Sequence, residues 1–122
     1  EIVANAQQTV GTKRAGENVI EEVVEDGIMQ ADFDHPTDPR YNTLGSARAL
    51  DLEFFPLIGD SGGGLFCRVD GRWVLVGVAI AGLTGPVGSD DGQWRNGVAY
   101  GWISQWHRVS AFNDWIDWFL KH

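Results

Sequence analysis

Gly59-Asp60-Ser61-Gly62-Gly63-Gly64 runs directly into Leu65-Phe66-Cys67-Arg68-Val69-Asp70-Gly71-Arg72-Trp73-Val74-Leu75-Val76-Gly77-Val78-Ala79-Ile80. The second part reads as a β-hairpin. Two runs rich in β-branched and aromatic residues flank Asp70-Gly71, a pair that tolerates the positive φ values of a two-residue turn. The strands are therefore placed at 64–69 and 72–80, with a glycine-rich loop feeding the first.

Working outward, Val19 to Val24 has the Val/Ile density of a strand, and Asp26-Gly27 turns it into Ile28 to Phe33, where residues 29, 31 and 33 are the apolar alternates. Asp34 to Ser46, with Pro36, Pro39 and Gly45, reads as an exposed loop. Arg48 to Phe55 and Gly97 to Trp106 are expected as further strands, with Gly82 to Gly92 a glycine-rich loop between strands. The end changes period: Phe112, Trp115, Ile116 and Phe119 share one face of a helix expected over 112–121. Ser110 or Asn113 can cap it, Asp114 suits the positive end of its dipole, and Lys121-His122 suit the negative end. The residues give an all-β domain of about six strands, an antiparallel barrel or sandwich, with one C-terminal helix docked on it.

Composition narrows the classes. At 122 residues the chain is one domain with enough length for a core. With 43% hydrophobic residues and six Trp it is not a disordered chain. No apolar run has the length of a membrane-spanning helix, and Glu1 to Asn5 lacks the basic and apolar regions of a signal peptide. Nine basic residues against 17 acidic give a net charge of −8, and Lys13-Arg14 is the sole adjacent basic pair, so neither nucleic acid nor membrane is an expected partner. The single cysteine, Cys67, leaves no disulfide within the chain.

The chemistry concentrates at Ser61. A nucleophilic serine needs a sharp turn that exposes its hydroxyl, with backbone N–H groups aimed at the developing oxyanion. Glycines on both sides permit such a backbone. Taken alone, the hexapeptide is equally a glycine-rich connection between strands.

Three segments in order carry a resemblance. Gly59-Asp60-Ser61-Gly62-Gly63-Gly64 resembles the active-site segment of the chymotrypsin-like (trypsin-like) serine proteases, with Gly64 where that family usually has Pro. Gly77-Val78-Ala79-Ile80-Ala81-Gly82 resembles the strand that binds substrate backbone. Trp106-His107-Arg108-Val109 and Asn113-Asp114-Trp115-Ile116 resemble the family's last strand and helix. The likeness is good from Leu50 onward and weaker over Glu1 to Gly45, where Val10-Gly11-Thr12 matches an early Trp-Gly segment loosely. The resemblance implies that residues 1–122 form the second, six-stranded antiparallel β-barrel of a double-barrel fold, with the C-terminal helix. It implies Ser61 as catalytic nucleophile and the Gly59 and Ser61 amides as oxyanion hole. Asp60 would support the active loop by receiving an amino group freed on activation. Phe55 would lie at the base of the specificity pocket, with Ile80, Ala81 and Gly82 along its wall. An apolar floor implies cleavage after apolar or small residues, whereas a two-residue shift would bring in Glu53 and favour Arg or Lys. Asp51 lies on the same segment.

A serine hydroxyl also needs a base, usually His, oriented by a carboxylate. In the resembling family both lie far upstream, on the first barrel. His35 is 26 residues before Ser61, next to Asp34, and adjacent residues of an extended chain point to opposite sides. His35 is read as a loop residue, His107 as a wall or packing residue, and His122 as solvated. The expected partner is therefore a separate N-terminal chain carrying His and Asp, held non-covalently or through Cys67. The family often pairs that position with an upstream cysteine; a buried free thiol is the alternative. No cofactor and no metal are expected. Asp32, Asp34 and Asp38 are close enough for Ca²⁺ but are read as a solvated acidic loop, and Asp90-Asp91 more weakly so. The expected activity is a secreted or periplasmic serine endopeptidase acting on peptide or protein substrates. The alternative is a non-catalytic homologue that binds peptides, or a half-enzyme exposing the apolar face meant for its other barrel.

Overall fold

Asp70 and Gly71 take φ values of 48° and 78°, which closes the expected hairpin between β4 (Gly64–Val69) and β5 (Arg72–Leu83). The protein is described by a computed structural model over residues 4–5, 11–25, 27–83 and 97–122. The other strands are β1 (Ala4–Asn5), β2 (Glu22–Val24), β3 (Ile28–Asp32), β6 (Gly97–Val98) and β7 (Ile103–Arg108), followed by helix α1 (Asn113–Lys121). Short 3₁₀ turns cover Pro39–Tyr41 and Val109–Phe112. The architecture is all-β with a C-terminal helix.

One antiparallel five-stranded sheet carries the order β2-β3-β7-β5-β4, and β1 pairs with β6 in a second, two-stranded sheet. The larger sheet is open among the described residues, with β2 and β4 at its edges. Its core is a row across three strands. Met29 and Ala79 both pair with Trp106 in register, and all three are buried with Ala31, covered by Ile20 and Leu65. Alternation explains β7, where Ser104 and Trp106 turn inward. The Ser104 hydroxyl is satisfied by donating to the Ala31 carbonyl at 3.1 Å. A second cluster joins Phe55, Val98 and Trp102, packed against Phe33, Leu57 and Ala99.

Several expectations are corrected. Arg48 to Phe55 is not a strand. It turns at Asp51-Leu52, and its one bridge is parallel, between Glu53 and Glu17. Alternation there is overruled by local bonding, because the Glu53 carboxylate and the Glu53 amide both bond back to Leu50. Gly97 to Trp106 is two strands. Trp102 donates to the Ala99 carbonyl at 3.3 Å, and Phe33 then exchanges hydrogen bonds with Trp102 and Gly101. β5 runs on to Leu83, three residues past its expected end, and the remainder of the expected 82–92 loop lies outside the described residues.

The helix forms where its period predicts, but it is not docked by its apolar face. None of its residues is buried, and Trp115, Trp118, Phe119 and Leu120 are exposed. The aromatic rings pack on one another instead, Trp115 on Phe119 at 4.7 Å and Trp118 on Phe119 at 5.0 Å. Neither Ser110 nor Asn113 caps it; the N-cap is Phe112, with no side-chain bond. Asp114 and Lys121 do occupy its first and last turns.

Candidate active site

The loop from Leu57 to Gly63 is built from two consecutive turns. In the first, the Asp60 amide donates to the Leu57 carbonyl at 3.0 Å and the Leu57 amide donates to Asp60 Oδ2 at 2.8 Å. In the second, the Gly63 amide donates to the Asp60 carbonyl at 2.9 Å. Gly59 and Gly62 hold φ values of 103° and 86°, a region that side chains with a Cβ rarely enter. A Cβ at either position would meet nothing within 4 Å, so the demand for glycine is torsional and not steric.

Ser61 follows Asp60 at the start of the second turn and is exposed. The loop is fastened to β5 just before the β4–β5 ladder begins. The Gly62 amide donates to the Ala79 carbonyl, and the Ala79 amide donates to the Gly63 carbonyl, each at 2.8 Å. Among the described residues, the Gly59 and Ser61 amides have no hydrogen-bond acceptor. Two donors on a fixed turn, one of them on Ser61 itself, are the parts an oxyanion hole requires. Asp60 carries out a local task here, capping its own turn through the Leu57 amide.

Phe55 is buried, 8% exposed, edge-on to Trp102 at 6.5 Å and tilted against Phe33 at 6.0 Å. Its ring is thus part of the second core cluster. Glu53 is half-buried, and its two oxygens accept from the Leu50 amide at 2.8 Å and the Asp34 amide at 3.3 Å. Burial raises its pKa, and those amide bonds pull the other way. Ile80 is half-buried at a bulge of β5, while Ala81 and Gly82 pair with Gln105 and Ser104 on β7.

No histidine meets Ser61 among the described residues. His35 Nδ1 accepts from the amides of Thr37 (3.1 Å) and Asp38 (2.9 Å), and its ring stacks on Tyr41 and meets Tyr100 edge-on. That imidazole is engaged as a loop brace. His107 packs against Phe112 at 5.6 Å, and His122 Nδ1 lies 2.6 Å from the Trp118 carbonyl. Cys67 is free and exposed on the edge strand β4, which overturns the buried-thiol alternative.

The acidic segment also departs from expectation. Asp32 and Asp34 are buried, and only Asp38 fits a loop surface, where its carboxylate holds Arg40 at 2.7 Å. Asp90 and Asp91 lie outside the described residues, as does Val10 of the early segment. Two residues with structural duties had no sequence signal beyond their polarity. Asn18 Nδ2 donates to the carbonyls of Asp32 and Phe54, both at 3.0 Å, and Glu21 accepts from the Ser46 amide at 2.8 Å. Both were part of or next to a run read only as a strand.

No family model and no curated protein matches this chain.

Proposed function

We propose that this chain is the nucleophile-bearing half of a chymotrypsin-like serine endopeptidase. Ser61 attacks the scissile carbonyl, and the Gly59 and Ser61 amides hold the oxyanion of the tetrahedral intermediate. The His that takes the Ser61 proton, and the carboxylate that orients it, come from a separate N-terminal chain. The observation that carries this reading is the pinned loop: Ser61 exposed between two glycines of positive φ, with Gly62 and Gly63 tied to Ala79.

In this reading the five-stranded antiparallel sheet belongs to the second, six-stranded barrel of that fold. Exposed apolar residues support a missing half. Phe66, Val69, Trp73, Val74 and Leu75 stand out on the β4–β5 hairpin, as do the aromatics of α1. Exposed apolar side chains gathered on one hairpin and one helix are what a surface meant for another chain presents. With Phe55 as the base and Ile80, Ala81 and Gly82 as the wall, the proposed pocket is apolar, and Glu53 is committed to backbone amides. Peptide or protein substrates cleaved after apolar residues, in a secreted or periplasmic setting, follow.

A panel of peptide p-nitroanilides on the native protein tests the specificity. Faster release after apolar residues is expected, and preference for Arg or Lys overturns the role given to Phe55. A peptide-binding homologue without catalysis is favoured instead if peptides bind but none is cleaved.

A further inference from the structure

Glu21, just before β2, meets Asp32 at the end of β3 and Asp34 two residues on. One oxygen from each carboxylate lies within 4.8 Å of the other two. Asp32 is wholly buried and Asp34 is 5% exposed. Asp32 and Glu21 each use one oxygen and leave the other bare, and the Asp34 carboxylate accepts no hydrogen bond among the described residues. Asp32 Oδ2 accepts from the amides of Thr43 (2.6 Å) and Leu44 (2.8 Å), and Glu21 Oε1 accepts from Ser46. Asp32 Oδ1, Asp34 Oδ1 and Glu21 Oε2 are buried with no donor.

Among the described residues no Lys or Arg forms an ion pair with any of the three, and Arg40 is committed to Asp38. Glu53, the fourth carboxylate nearby, adds to the repulsion on Asp34. Burial and the neighbouring Asp32 push Glu21 up to about 7, and burial with Asp32 and Glu53 pushes Asp34 up to about 6. Buried carboxylate oxygens without donors are costly while ionised; a proton shared between Glu21 and Asp32 relieves part of that cost, and a cation joining all three relieves the rest.

We propose that Glu21, Asp32 and Asp34 bind one calcium ion. The donors are all hard oxygens, which suits Ca²⁺ and not Zn²⁺. Calcium–oxygen bonds of about 2.3–2.6 Å allow two ligands of one ion to stand up to about 5 Å apart, and the 4.8 Å spread falls inside that limit. Magnesium demands a tighter octahedron and gives up its waters reluctantly. Glu21 lies on the wall of a solvent-open hollow shared with Glu17, Ser46, Arg48 and Asp51, which provides the route in. The ion ties β2 and β3 to the 34–46 loop, because Thr43, Leu44 and Ser46 already hang on the same carboxylates.

The test uses native protein freed of metal with EDTA. Equilibrium dialysis against radioactive calcium should find one ion per chain. Millimolar calcium should raise Tm by at least about 3 °C over EDTA, and magnesium by much less. Asp34→Asn breaks no hydrogen bond among the described residues, so the variant should fold and lose both the bound ion and the rise. Asp38→Asn should keep both. No ion retained by the native protein at millimolar calcium, or an undiminished response in Asp34→Asn, would overturn the site.

Discussion

The Gly62 amide donates to the Ala79 carbonyl at 2.8 Å. Through that bond the Ser61 loop shares the rigidity of the interior strand β5, whose Ala79 is itself locked against Trp106 in the core. The Ser61 hydroxyl is thereby held on a loop anchored to a sheet, which is what the proposed role in a preformed oxyanion site requires.

Gly62 is thus expected to matter for geometry. Gly62→Ala must hold φ near 86° with a side chain present, at a cost of roughly 1–2 kcal/mol. Because the added methyl meets nothing, the chain should still fold. Urea denaturation should show that loss, and Ser61 should react with a fluorophosphonate at least about tenfold more slowly, since misplacement of about 1 Å costs that much or more. A wild-type labelling rate would show that the turn does not set the reactivity.

The core row makes a contrast between two tryptophans. Trp106 is 3% exposed and Trp73 is 67% exposed. Trp106→Ala should cost about 3–5 kcal/mol, and Trp73→Ala should stay within about 0.5 kcal/mol in this chain alone. Comparable losses in the two would mean that the sheet buries its other face.

Asn18 joins two segments far apart in sequence. Its Nδ2 reaches the carbonyls of Asp32 and Phe54, so Asn18→Ala removes both bonds and leaves two partly buried carbonyls without that donor. A loss of about 1–3 kcal/mol is expected from chemical denaturation. An unchanged midpoint would place the 53–55 segment under other control.

The regular parts of the fold were legible because they obey simple periods. The Asp70-Gly71 hairpin, the β2–β3 hairpin and the helix all follow from alternation, turn chemistry and the i, i+3, i+4, i+7 pattern. The failures share one cause: long-range or side-chain bonding that no period reports. Glu53 bonding to Leu50 and Asp34 removed a strand, and Phe33 pairing with Gly101 and Trp102 split another. At the site, Ser61 and its glycines were readable from local backbone demands. The burial of Asp32 and Asp34 was not, because polarity alone reads as a solvated loop.

Asp38 gives a pH dependence with a defined sign. Hydrogen bonds from the Arg40 side chain and amide hold its carboxyl at about 2, against an ordinary value of 3.8. A depressed acid stabilises the folded state above its unfolded pKa, and that contribution is lost as pH falls from about 4 to about 2. The pair is exposed, so the effect is small. Asp38→Asn should lower Tm slightly at pH 7, with the difference from wild type shrinking toward zero across that acid range. A difference that grows as pH falls would assign the stabilisation to another group.

The most direct measurement is fluorophosphonate labelling of the native protein, followed by intact mass of every chain present. Such a probe reacts with a serine only when a base and an oxyanion hole surround it. One probe adduct on this chain, abolished in Ser61→Ala, is the predicted result, accompanied by a second chain carrying the histidine. An unlabelled chain in the complete native assembly would contradict Ser61 as a catalytic nucleophile.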